Sequence, residues 1–129
     1  MAAYCLRSDV ESVFGATNIA SWADLDNDQD ATKITARIDR AIEIAGAEVE
    51  DLMRYMGYAV PVKDSAGLVP TTIENLVATM AGLWLYEARG VNDTDQQGNP
   101  MHRLRYMRMW VRNMFKEIAN GTRKLDANL

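Results

Sequence analysis

Four aspartates, Asp24, Asp26, Asp28 and Asp30, alternate with other residues in a seven-residue run. Alternating carboxylates are what an oxygen-liganded calcium loop opens with. The rest of such a loop does not follow. Starting at Asp24 puts Gln29 where the sharp turn wants glycine and Thr35 where a bidentate glutamate belongs. Starting at Asp26 puts Ala31 and Arg37 there. The run is therefore expected to be an acidic turn, with Asp30 as the N-cap of a following helix and its carboxylates favoured by the helix dipole. Cys5 is the only cysteine and His102 the only histidine, which excludes thiol- and imidazole-rich metal centres. A Cys–His nucleophile pair has no local support, and Cys5 reads as a small buried apolar residue. The eight glycines stand singly, so no glycine-rich loop cradles a phosphate. No catalytic constellation, metal set or cofactor motif emerges.

The remaining candidate is a line of cations. Arg105, Arg108, Arg112 and Lys116 step by three, four and four residues, one face of a helix. Such a stripe can neutralise nucleic-acid phosphates, pair with the acidic surface of a neighbouring subunit, or simply face solvent. Charge is distributed unevenly around it. Residues 1–100 hold seven Lys/Arg against sixteen Asp/Glu, a balance of −9, and residues 101–129 hold seven against two, +5, which together give the net −4. An acidic body with a basic terminal helix suits head-to-tail assembly or an anionic partner, unless the opposite charges meet within one subunit.

The elements that must carry these residues are helices. From Ala31 to Met56 the apolar residues Ile34, Ile38, Ile42, Val49, Leu52 and Met56 recur at three- and four-residue steps, with Ala41 and Ala45 beside them. A helix of this length would run about 38 Å, long enough that only other helices could bury its stripe. Upstream, Ser8 to Glu11 has the spacing of a capping box for a short helix ending at Phe14–Gly15. Asn18 is placed to cap a second short turn, Ile19–Ala23, with Phe14, Ile19 and Trp22 pinning this segment to the long helix. Gly46 costs that helix about 1 kcal/mol of propensity and is suited to close approach by a neighbouring helix. Tyr58–Val62 reads as extended. With a turn at residues 63–67 and Leu68–Val69 beyond, a small hairpin is compatible with the pattern. Thr71 to Glu74 has the spacing of a second capping box, opening a helix Ile73–Arg89 whose thin polar side predicts burial around most of its circumference. Residues 91–100 are polar and expected to form a mobile loop, compatible either with staying flexible or with ordering on a partner, with Asn92, Asp93 and Asp95 as candidate contacts. Met101–Asn120 is the last helix, with Leu104, Met107, Val111, Met114, Phe115 and Ile118 inward, and residues 122–129 form a polar tail.

The chain has 129 residues, 48% hydrophobic and 25% charged, which fits one globular domain spanning 1–129. No run approaches the roughly 18 apolar residues of a membrane span. The N-terminus lacks a secretory pattern and there is a single cysteine, so an intracellular, reducing setting is expected.

The order of the pieces carries a resemblance. Tyr4, Asp9-Val10, Phe14-Gly15, Ile19 and Trp22-Ala23-Asp24 are followed by Arg37-Ile38, Ala41-Ile42, Ala45 and Glu48-Val49. Then come Tyr58, Pro61-Val62, Pro70, Ile73, Leu76, Met80-Ala81, Leu85-Tyr86 and Arg89-Gly90, an acidic loop and an amphipathic helix. In this order the chain resembles the Mu-like head–tail connector (head-completion) family of tailed bacteriophages. The resemblance implies an all-α bundle around one long helix, without enzymatic activity or cofactor. It further implies a place at the head–tail junction of the virion, after synthesis in the host cytoplasm. The implied partners are the portal protein, a tail-side connector or tail-terminator protein, other copies in a ring and packaged DNA, with no membrane. The contrasting expectation is a helical nucleic-acid-binding regulator that uses the basic last helix.

Overall fold

The computed structural model describes residues 4–88, 102–120 and 127, with backbone alone for 102–105. It is all-α: α1 Arg7–Phe14, α2 Ala16–Ala23, α3 Ala31–Tyr55, α4 Thr71–Ala88 and α5 His102–Ala119. No strand occurs among the described residues. The 91–100 loop, including Asn92, Asp93 and Asp95, and nearly all of the 122–129 tail lie outside them.

The long helix forms as its pattern dictates. Asp30 caps it, its Oδ1 accepting from the backbone N–H of Thr32 at 3.0 Å and Lys33 at 3.3 Å. Its end is a Schellman motif. Tyr58 N–H reaches back to Met53 O at 2.9 Å and Gly57 N–H to Arg54 O at 3.0 Å, with Gly57 at φ 94. A residue with a Cβ is strained in that left-handed geometry. The buried stripe runs Ile38, Ala41, Ile42, Ala45, Gly46, Val49 and Met53. Leu52, expected inside, is exposed, and Met53 takes its place. At about 100° per residue the two lie at nearly equal angles either side of the stripe, so periodicity alone does not choose between them. The packing partner does.

That partner is α4, and α4 organises the fold more than the long helix does. It packs against α1, α2, α3 and α5. Ten of its residues are buried, among them Ile73, Leu76, Val77, Leu83, Leu85 and Tyr86, as its thin polar side predicts. The α3 stripe does not serve the last helix: among the described residues α5 meets α4 and not α3. The N-terminal aromatics also seat on α4. Phe14 lies against Gly82, where a Cβ would overlap the ring. Trp22 stands edge-on to both Phe14 and Tyr86, with centroids 5.4 and 5.1 Å apart.

Several local expectations are corrected. α1 begins at Arg7, one residue before Ser8, and Asp9 supplies the return bond by accepting from Leu6 N–H at 2.7 Å. Glu11 instead pairs with Arg7 at 3.4 Å. Asn18 does not open α2, which starts at Ala16. Its amide donates to Phe14 O at 2.8 Å and closes the end of α1. Thr71 is already helical, and Pro70 O accepts the first helical bond, from Glu74 N–H at 3.0 Å. Gly46 faces not a helix but the ring of Tyr4. In place of a hairpin, Asp64 closes a turn: its N–H donates to Leu68 O at 2.7 Å, and its Oδ1 accepts from Ala66 and Leu68 N–H, each at 2.9 Å. The Val60–Pro61 peptide is cis.

Candidate functional site

The acidic run folds into a self-satisfied turn. Asp24 accepts from Asp28 N–H at 3.2 Å and Gln29 N–H at 3.1 Å, and Asp28 accepts from Asp30 N–H at 3.1 Å. Lys33 Nζ bridges Asp28 at 2.9 Å and Asp26 at 3.3 Å. The hydrogen bond from Lys33 holds the Asp28 carboxyl below its ordinary range and raises the ammonium in return. Carboxylates arranged this way serve their own backbone and one lysine. Beside them a cleft of about 330 Å³ is lined by both signs of charge, including Lys33, Arg37 and Arg40.

Cys5 is buried, and burial, with Asp9 and Glu74 nearby, pushes its thiol up to about 12. A thiol held that firmly protonated is a poor nucleophile. Glu74 is itself raised, by burial first and then by Asp9. His102 lies in α5, with its backbone alone described.

The cation stripe is split by the fold. Arg105, like His102, is placed by its backbone in α5. Arg108 turns back to Glu87 near the end of α4, at 3.0 Å, and its side chain is 31% exposed. Arg112 and Lys116 face solvent and meet no carboxylate in an ion pair among the described residues. The inward face of α5 buries Met114 and Ile118, with Met107, Trp110, Val111 and Phe115 packed against the core. At about 100° per residue, Arg112 and Lys116 fall opposite that face, with Met109 beside Lys116. Met109, 48% exposed, and Tyr106, 72% exposed, are surface features that sequence reasoning missed, although a methionine followed by cations at i+3 and i+7 is the available signal. On the other flank of α5, Tyr106, Met107 and Trp110 join Val13, Asn75 and Thr79 around an apolar groove of about 360 Å³. Among the described residues no group of three or more His, Cys, Asp or Glu side chains is placed to hold a metal ion.

A family model described as Bacteriophage Mu, Gp36 matches residues 4–128. The chain belongs to the Bacteriophage Mu Gp36 family. The match runs through all five helices, so the Gp36 family assignment rests on the whole fold, and it bears out the Mu-like resemblance read from the order of the motifs. No curated protein and no solved structure matches the chain. Among the described residues no helix is long and apolar enough to cross a membrane.

Proposed function

We propose that this Gp36-family protein is a structural subunit of the phage particle, a head–tail connector that docks beneath the portal and helps form the ring joining capsid to tail. The observation that carries the reading is the family match over residues 4–128. It is supported by a helical body that leaves Leu52, Tyr55, Tyr106 and Met109 exposed. In this reading the protein has no enzymatic activity and no cofactor. Its partners are the portal on one side, a tail-side connector or terminator on the other, further copies of itself around the ring and packaged DNA. In a ring each subunit presents two different faces, and a heterologous contact closes when its rotation permits.

Deleting the gene from the phage and imaging the lysate by electron microscopy tests this. DNA-filled heads beside unattached tails, restored to whole particles by the protein supplied in trans, are expected. Joined particles at the wild-type frequency would refute the proposal.

A further inference from the structure

Two exposed amphipathic faces of opposite charge lie on helices that do not touch among the described residues. On α3, Glu48, Asp51, Leu52 and Tyr55 fall within about 100° of arc at 3.6 residues per turn. Leu52 is 41% and Tyr55 89% exposed. A tyrosine and a leucine this exposed, side by side on a helix that buries its other face well, form an unburied apolar ridge. Asp51 shares an exposed ion pair with Arg54 at 3.3 Å, which contributes little at a solvated surface, while Glu48 has no partner in an ion pair among the described residues. On α5, Met109, Arg112 and Lys116 occupy the arc opposite the buried face, an apolar side chain beside two cations. α4 contacts both helices, and among the described residues they do not contact each other.

We propose that the α3 face of one copy packs on the α5 face of the next. Leu52 and Tyr55 meet Met109, and Glu48 and Asp51 meet Arg112 and Lys116. The occupant of each face is a second copy of this chain, selected by charge: the ridge is acidic and the opposing surface basic, as are the two regions of sequence that supply them. The contact is heterologous, because the two faces differ, so it propagates from copy to copy instead of stopping at a two-fold dimer. It rests on the connector reading for its place in the particle and names the subunit contact that reading leaves open.

Cross-linking of the full-length protein tests it. Tyr55→Cys and Met109→Cys are introduced singly and together, and buried Cys5 stays out of the reaction. A disulfide needs Cα atoms about 5.5–6 Å apart, so mild oxidation of the concentrated double variant yields a ladder of covalent oligomers. Each single variant alone gives none, and a mixture of the two gives dimers. Arg112→Glu lowers the ladder yield about tenfold, and adding Glu48→Lys brings it back. No ladder from the double variant, a Tyr55→Cys chain that cross-links to itself as readily, or a charge swap without rescue overturns the contact. A ladder that forms although gene-deleted particles still join their tails upholds the contact and refutes the connector role.

Discussion

The seat of Phe14 on Gly82 makes a prediction whose size can be worked out. Replacing Gly82 with alanine adds a Cβ that would overlap Cε2 and Cδ2 of the Phe14 ring and lie 2.9 Å from its Cζ. Carbon atoms rest at about 3.5–4.0 Å, so even Cζ must retreat by about 0.6 Å or more, and the nearer ring atoms further. The ring cannot simply swing away. It is buried, and Trp22 stands against it, in turn held by Tyr86. Overpacking of this kind costs about 1–3 kcal/mol, and the better helix propensity of alanine returns about 1 kcal/mol. With backbone and ring both hemmed in, the upper part of that range applies, and the net loss is about 1–2 kcal/mol. Urea denaturation followed by circular dichroism measures it, with Trp22 contributing a local fluorescence change. Phe14→Leu in the Gly82→Ala background should cost less than in the wild type, because the smaller side chain relieves the clash. Wild-type stability for Gly82→Ala, or strictly additive costs in the double variant, would refute the packing argument.

Two further outcomes follow from hydrogen bonds. Tyr4, 2% exposed, donates to Glu50 and accepts from Val62 N–H at 3.0 Å, so Tyr4→Phe strands a buried donor and should cost about 1–3 kcal/mol in denaturant titrations. Burial, with the Glu50 hydrogen bond, pushes the phenol from 10.0 up to about 12. The fold binds that proton more tightly than the unfolded chain does, so this stabilisation is complete below pH 10 and is lost as pH rises through about 12. The tyrosinate absorbance missing from Tyr4→Phe, relative to wild type, should titrate near 12, and titration near 10 would contradict the buried placement. At the start of α3, Asp30→Ala removes the acceptor for two N–H groups and should cost about 1 kcal/mol by thermal or urea melts, while Asp30→Asn should cost only a fraction of that.

Features set by local chemistry could be read from the chain directly. The Asp30 cap, the Met56–Gly57 stop of α3 and the near-complete burial of α4 depend on neighbours within a turn or two, and each appears where the residues place it. Choices between near-equal local options could not. Ser8 and Leu6 compete to begin α1, and Asp9 decides by reaching Leu6 N–H. Asn18 can close the helix before it as readily as open the one after. Leu52 and Met53 are equivalent until α4 chooses between them. The candidate surface shows the same division. Arg108, Arg112 and Lys116 were legible as a stripe, but the pull of Glu87 on Arg108 depends on how α5 crosses α4, a relation between segments separated by the 91–100 loop. Arg105 remains placed by its backbone, and Asn92, Asp93 and Asp95 lie beyond the described residues. Met109, Tyr55 and Leu52 are exposed although apolar residues read as buried by default, and only packing shows which ones the core leaves out.

The dependence of α5 on a single neighbour has a consequence for how the molecule yields under stress. Helices α1 to α3 contact α4 and one another, so the amides at their centres are expected to be the slowest to exchange with solvent. Among the described residues α5 contacts α4 alone of the helices, so its amides are expected to exchange before those of the other helices. A helix that opens first would let the angle at which it meets a neighbour vary without spending the stability of the core. Tolerance to small errors of fit is then a property of the weakest helix, while rigidity belongs to the other four.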